Sequence, residues 1–424
     1  MTQPTNRVRW PTALAIVGVS AWTATLSGCG EGAEGPAFTA DPRIEMAPNP
    51  DAPLGGRLTL STDVATRVTA TIQGAGLDRR IRFNGFGTDH RLTLLGFHPD
   101  GRYRVQVAVE DRAGALTRFD GELTVTTPPL PADFPDLQVD AAHTDAARME
   151  PGFTLFDTLP EGDSGGPLAY LIMVDKAGRV VWYYRSIRLM DPRQRSEGRI
   201  MALLRDSVVE IDMLGETVRQ WRRVDAEGKT KPGAGQSFHH EAFPTANGNL
   251  LVLSVEKREI TDFPASASDL GQTETAQVAG DVVVELTPSG TVVNSWKLLD
   301  MLDPRRIGYN FDYNFWKGVF DVQTRDWSHA NAVIEDPGDD GVIVSLRHQD
   351  AVIKFHRDTG EVEWILGDPQ NWDAPLADRL LTPAAGTGRF CHGDTPGLAD
   401  CCLVPQVFNA SRFEVDMAPY PSVQ

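Results

Sequence analysis

Asp326-Trp-Ser-His-Ala-Asn-Ala-Val-Ile334 opens a segment that continues Asp339-Asp-Gly-Val-Ile-Val-Ser-Leu-Arg-His-Gln-Asp350, Ala351-Val-Ile-Lys-Phe355, Asp358-Thr-Gly360 and Glu361-Val-Glu-Trp-Ile-Leu366. Apolar and polar residues alternate in short runs, and Asp, Asn and Gly punctuate them. This is the signature of half-buried antiparallel strands joined by tight turns. The segment therefore reads as one four-stranded unit. Alternation places Ile343, Ser345 and Arg347 on one side of its second strand and Val342, Val344 and Leu346 on the other. His348 and Gln349 are then expected to face away from Arg347.

The last hairpin of this unit recurs upstream. Gly178-Arg-Val-Val-Trp-Tyr-Tyr184, Gly215-Glu-Thr-Val-Arg-Gln-Trp221 and Gly290-Thr-Val-Val-Asn-Ser-Trp296 share its grammar with Gly360-Glu-Val-Glu-Trp364. Each has an apolar strand, a tight Gly turn and a strand carrying Trp. The glycines lie 37, 75 and 70 residues apart. A unit near 37 with later insertions predicts β-propeller blades over residues 132–383, each Trp packing between neighbours.

Residues 41–128 alternate similarly, as in Arg57–Ser61, Val64–Ile72 and Arg102–Val109. Leu95-Gly-Phe-His-Pro-Asp-Gly-Arg-Tyr103 predicts a tyrosine corner, with Tyr103 at a strand start and its hydroxyl bonded back to the loop. The expected unit is an immunoglobulin-like β-sandwich, closed by the stiff linker Thr127-Pro-Pro-Leu-Pro131. The fold class is all-β.

The first 28 residues read as an address. Arg7 and Arg9 precede an uncharged apolar stretch ending in Leu26-Ser-Gly-Cys29, the pattern of a secretory signal. That ending resembles a bacterial lipobox, which makes Cys29 a lipidation site and residues 29–40 a flexible tether. The expected location is the periplasm, on a lipid anchor, with Gly30 favouring the outer membrane. The remaining cysteines, Cys391, Cys401 and Cys402, predict one disulfide, Cys391 with Cys401 or Cys402. A zinc site with His392 is the rival, but its spacing matches no common pattern, and no metal is expected.

Lys plus Arg number 40 against 58 Asp plus Glu, a net charge of −18. Such a surface repels nucleic acid and anionic lipid, so neither is an expected partner.

Against that background the basic residues of two segments stand out. His329 opens the innermost strand of the 326–366 unit, and Arg347 ends its second strand. Phe238-His-His-Glu-Ala-Phe-Pro-Thr-Ala-Asn-Gly-Asn-Leu250 has the same order of His, spacer, Gly turn and strand, so His240 corresponds to His329. Two equivalent histidines and an arginine can hold a sulfate or phosphate, because Arg offers a fork of donors and His a switchable proton. His239 and His240, adjacent in a strand, are expected to point oppositely, which argues against a metal site among His239, His240, His329 and His348.

These motifs, D-W-S-H-A-N, S-L-R-H-Q, W-I-L-G-D-P-Q-N-W and H-H-E followed by P-T-A-N-G-N-L, resemble those of the bacterial arylsulfotransferases. The resemblance covers about residues 132–380. It implies a β-sandwich before a six-bladed propeller, and a periplasmic enzyme moving a sulfuryl group between phenols by a ping-pong route through a sulfated histidine. It implies phenolic donor and acceptor molecules, no nucleotide donor and no cofactor, and it admits a homodimer. By this resemblance His329 and Arg347 bind the sulfuryl oxygens, and His240, or less directly His239, completes the pocket or protonates the leaving phenolate. The family's nucleophilic His lies in a later, aromatic-rich blade. Here the chain after Pro383 has no Trp and no blade pattern, and its one histidine, His392, is the candidate left. An incomplete propeller without the nucleophile is therefore expected, and the alternative function is a non-catalytic periplasmic lipoprotein that binds a ligand or protein.

Overall fold

The computed structural model describes residues 35–381, apart from 141–143, 146, 150, 159–168, 187–188, 268 and 309–310. The expectations for Cys29, Cys391, His392, Cys401 and Cys402 lie outside the described residues.

Seven strands form the N-terminal unit: β1 (Phe38–Met46), β2 (Gly56–Gly74), β3 (Leu77–Arg82), β4 (Gly87–Leu94), β5 (Arg102–Asp111), β6 (Leu116–Arg118) and β7 (Leu123–Thr126). β2 spans the unit. Its first half pairs with β1 and β4, and its second half with β3 and β5, with a register break between Ser61 and Thr66. All seven strands thus share one hydrogen-bonded network around Leu58, Val68, Ile72, Leu94, Phe97 and Val107. The Tyr103 hydroxyl accepts from the His98 N–H at 2.9 Å and donates to the His98 carbonyl at 3.1 Å, which is the predicted corner. The tether reading ends too late. Phe38 already belongs to β1, where it pairs with Thr62 and packs edge-on against Phe119.

Four antiparallel sheets follow. β8 (Thr154–Thr158), β9 (Ala169–Val174) and β10 (Val180–Ser186) make the first. β11 (Met190–Gln194), β12 (Ile200–Leu204), β13 (Ser207–Ile211) and β14 (Thr217–Arg222) make the second. The third contains β15 (His239–Pro244), β16 (Leu250–Pro264), β17 (Thr273–Leu286) and β18 (Val292–Lys297), with β19 (Arg325–Asp326) added parallel to β17. β20 (Ala330–Glu335), β21 (Val342–Leu346), β22 (Ala351–Phe355) and β23 (Val362–Gly367) make the fourth, the segment first read as a four-stranded unit.

Each strand pairs with its neighbour in sequence, so each sheet has two faces to bury. Consecutive sheets cover one another. Ala169, Leu171 and Trp182 pack on Ile200, Ala202 and Ile211; Met201, Val208 and Trp221 pack on Val252, Val282 and Val284; Leu253, Val283 and Trp296 pack on Val333, Val344 and Ile353. The first strands lie side by side in the order β8, β11, β15, β20.

The repeated Gly turns set this spacing. Gly178, Gly215, Gly290 and Gly360 have φ of 74°, 79°, 82° and 72°, a region costly for residues with a Cβ. Three tryptophans reach the turn of the next sheet. Trp182 Nε1 donates to the Met213 carbonyl at 2.8 Å, and Trp296 Nε1 to the Arg357 carbonyl at 3.0 Å. A Cβ built on Gly290 lies 4.0 Å from Trp221 Cδ1. A buried cluster reinforces the last junction. Arg357 pairs with Glu285 of the third sheet at 3.1 Å and with Glu335 of the fourth at 2.6 Å.

Trp296→Ala should destabilise the chain by about 3 kcal/mol, since it empties a buried site between two sheets. Trp296→Phe keeps a ring and loses the bond to Arg357, so it should cost less. Urea unfolding followed by circular dichroism compares the two; equal costs would show that the indole does not bridge the sheets.

Candidate functional site

The site forms where regular strand geometry fails. Asp191, His240 and His329 have φ of 52°, 55° and 45°. Each sits beside a register shift between the first and second strands of its sheet. A left-handed L-residue costs roughly 1–2 kcal/mol, and such residues collect at functional sites. The equivalence read between His240 and His329 is thus a shared backbone irregularity, and Asp191 holds the same place one sheet earlier.

The irregularity at His240 corrects the expectation that His239 and His240 point oppositely. Their rings lie 5.1 Å apart, with Nδ1 facing Nδ1 at 2.9 Å. Strand alternation assumes extended φ at both residues, and His240 does not have it.

The segment before β20 is pinned onto β17. β19 pairs Ala279 with Asp326, and the Trp327 N–H donates to the Ala279 carbonyl at 3.0 Å. This brings Asp326, Ser328 and His329 beside Asp281 and the two β15 histidines. Asp281 is 1% exposed. It accepts from the Ser328 hydroxyl and from the Ala330 N–H at 2.7 Å, and its Oδ1 lies 3.1 Å from His239 Nε2. Burial pushes its carboxyl upward. The His239 contact and the donors from Ser328 and Ala330 outweigh burial and hold it below the usual carboxylate range.

Asp326 is a second hub. Its Oδ2 meets His329 Nδ1 at 2.5 Å and its Oδ1 accepts from Trp316 Nε1 at 2.9 Å. Its carbonyl accepts from His348 Nδ1 at 2.6 Å. The His329 ring lies 4.6 Å from His348 and 5.3 Å from His240. His348 is fully buried, and its Nε2 has no hydrogen-bond partner. Burial holds His348 below the ordinary histidine range. Burial, then the nearby His239, His329 and Arg347, drives His240 down to about 3, against the smaller opposing effect of Asp281. Both rings are neutral near pH 7.

Arg347 begins a 3-10 turn, Arg347–Gln349, directly after β21 rather than ending the strand. His348 and Gln349 thus belong to this turn and not to a strand. The turn breaks alternation, so His348 joins the site. Gln349 is a clamp, donating to the Trp327 carbonyl at 2.7 Å and accepting from Arg306 at 2.9 Å. The Arg347 charge acts on both His240 and His348.

An aromatic wall stands over the histidines. Phe315 meets His329 edge-on at 5.0 Å, and Trp316 meets His239 at 4.8 Å. Tyr313 lies 6.0 Å from Phe315. Phe315 and Tyr313 are 45% and 47% exposed, large rings open to whatever enters.

Four residues singled out in the sequence, His239, His240, His329 and Arg347, therefore converge. Sequence reasoning missed Asp281, Asp326, His348 and the aromatic wall. Asp326 had a signal in D-W-S-H, three residues from His329. Asp281 had none, because it comes from an ordinary apolar strand. Asp326, His329 and His348 also offer ligand atoms within 4.8 Å of one another. The Nδ1 atoms of His329 and His348 are committed to the Asp326 carboxylate and carbonyl, which fixes both rings and leaves Nε2 as the open nitrogen of each.

A protein-family model described as Arylsulfotransferase (ASST) matches residues 138–397. The chain belongs to the arylsulfotransferase family. It is 26% identical over 236 residues to the arylsulfate sulfotransferase AssT of Escherichia coli O6:H1, a match spanning 50% of this chain and 36% of that protein. It is 27% identical over 224 residues to AssT of Lelliottia amnigena, spanning 47% of this chain and 34% of that protein. The chain thus spans about a third of the length of these curated relatives. A stretch of 46 residues is 58% identical to a probable maleylacetoacetate isomerase 2 of Drosophila melanogaster, 11% of this chain and 19% of that one. Among solved structures, a Bacteroides caccae protein of unknown function matches 72% of this chain and 73% of its own at 10% identity and a TM-score of 0.27.

His240 gives the fold an acid limb. Its pKa is lower in the folded chain than in the unfolded one, so between about pH 6.5 and 3 the unfolded chain binds the extra proton. Stability from this group is complete above that window and is lost as pH falls through it, by a few kcal/mol in all. His240→Gln should flatten the slope of unfolding free energy against pH in that window. An unchanged slope would show that His240 is not held neutral.

Proposed function

We propose that this chain transfers a sulfuryl group from an aryl sulfate to a phenol, through a sulfated histidine and without a nucleotide donor. The observation that carries this reading is the cluster of His240, His329 and His348 beside Arg347, under the exposed rings of Phe315 and Tyr313. Arg347 offsets charge on the sulfuryl oxygens, so the sulfur becomes electrophilic. A neutral imidazole nitrogen then attacks sulfur as the bond from sulfur to the phenolic oxygen breaks. Asp326, by accepting from His329 Nδ1, leaves that ring's Nε2 as its free lone pair. The aromatic wall suits the aryl part of donor and acceptor. Both curated relatives are named arylsulfate sulfotransferase. The same reading treats the four stacked sheets as blades of a propeller behind an immunoglobulin-like unit, held in the periplasm by a lipid on Cys29. Among the described residues no helix is long and apolar enough to cross a membrane.

Brief incubation with an aryl sulfate and no acceptor, followed by intact and peptide mass spectrometry, should show one added sulfuryl group (SO₃) on a histidine peptide. Its position among His240, His329, His348 and His392 names the nucleophile. No adduct and no phenol release would sink the enzymatic reading and leave a ligand-binding lipoprotein.

His329→Ala and Arg347→Ala should each lower kcat/KM by about 100-fold or more. Arg347→Lys keeps the charge but loses the fork of donors and should remain well below the parent. Turnover within a few-fold of the parent in all three would remove them from the transfer step.

A further inference from the structure

We propose that Asp281, His239 and His240 form a proton relay, with His239 as the buried store and His240 Nε2 as the atom that exchanges a proton with the phenol. For the destination of that proton, the inference rests on the sulfuryl-transfer reading.

The geometry dictates the proton positions. His239 Nε2 and Asp281 Oδ1 are buried, lie 3.1 Å apart without being aligned as a hydrogen bond, and have no hydrogen-bond partner elsewhere, so the proton that can answer this carboxylate oxygen is one carried on Nε2. Ser328 and Ala330 satisfy the other carboxylate oxygen. With one proton on Nε2, neutral His239 has a bare Nδ1. At 2.9 Å it accepts the Nδ1 proton of His240, because two bare nitrogens would repel. His240 Nε2, on the far edge of its ring, then carries a lone pair.

Adding a proton to that Nε2 pushes the Nδ1 proton of His240 across to His239. One N–H bond forms on each ring, one breaks, and the net gain is one proton. The charge rests on His239 against Asp281, while His240 stays neutral and now presents Nε2–H. In the first half-reaction that proton goes to the departing phenolate oxygen as its bond to sulfur breaks. In the second, the acceptor phenol returns a proton to Nε2 as its oxygen takes the sulfuryl group. His240 can serve as acid and base without becoming a cation beside Arg347 and His329. Those two residues, with Asp281 and His239, are the charged or titratable groups acting on it; Trp316 closes the other side of His239.

The test is nitrogen NMR of the full chain carrying isotope-labelled histidine, followed from about pH 5 to 9, with assignments from His239→Gln and His240→Gln. The expected result is a His240 ring that stays singly protonated and moves its proton from Nδ1 at high pH to Nε2 at low pH. A fixed tautomer throughout, or a doubly protonated His240, overturns the relay. Turnover gives a second readout. Asp281→Asn should slow phenyl sulfate at least tenfold more than para-nitrophenyl sulfate, whose phenolate needs no proton to leave. Equal losses overturn the role in transfer. A tautomer exchange in a parent chain that turns over no aryl sulfate would leave the relay standing and reject the sulfuryl reading; turnover without the exchange would do the reverse.

Discussion

The carboxylate of Asp281 is the constraint on which the site depends. A charge removed from water is costly unless it is answered by hydrogen bonds and a partner. Three pieces of chain answer this one: His239 from β15, Ser328 and Ala330 from the entry to β20, and β17 itself, whose own Asp281 N–H is held by Ser328 Oγ at 2.8 Å. The carboxylate therefore holds the third and fourth sheets in one register. Both histidine-bearing segments belong to those sheets, so the same interaction sets the distance between His240 and His329.

The backbone outliers fit that picture. Left-handed φ at His240 and His329 would be a net loss in an isolated strand. Here the neighbouring buried contacts over-determine the conformation, and the return is two imidazoles aimed into a common space. Asp191 has the same geometry without a histidine, and its Oδ2 accepts from the Ala242 N–H at 3.1 Å. The irregularity thus belongs to the repeat, and in two of the three copies it carries a histidine.

Two carboxylates divide the work of orientation. Asp281 sets the His239–His240 pair from behind, and Asp326 sets His329 and His348 from the side. The aromatic segment 313–316 is tied to the second hub through Trp316 Nε1. A shift in Asp326 would therefore move both the imidazole and the wall beside it.

Much of the fold was legible in residues. Period-two alternation, the Gly turns at 178, 215, 290 and 360 and the tryptophans that follow are local features, and local sterics and burial determine strands, turns and the sheet-to-sheet packing of Trp182 and Trp296. The convergence of His239, His240, His329 and Arg347 was legible too, because a few basic residues at repeated positions stand out in a chain of net charge −18. What the sequence could not decide was direction. Alternation turned His239 from His240, and that inference failed where a bulge replaced extended backbone. Asp281 was invisible for a different reason. Its role comes from partners 42 and 47 residues away in the chain, and only the folding of β17 against two other segments makes one acid in an apolar strand the common partner of His239, Ser328 and Ala330.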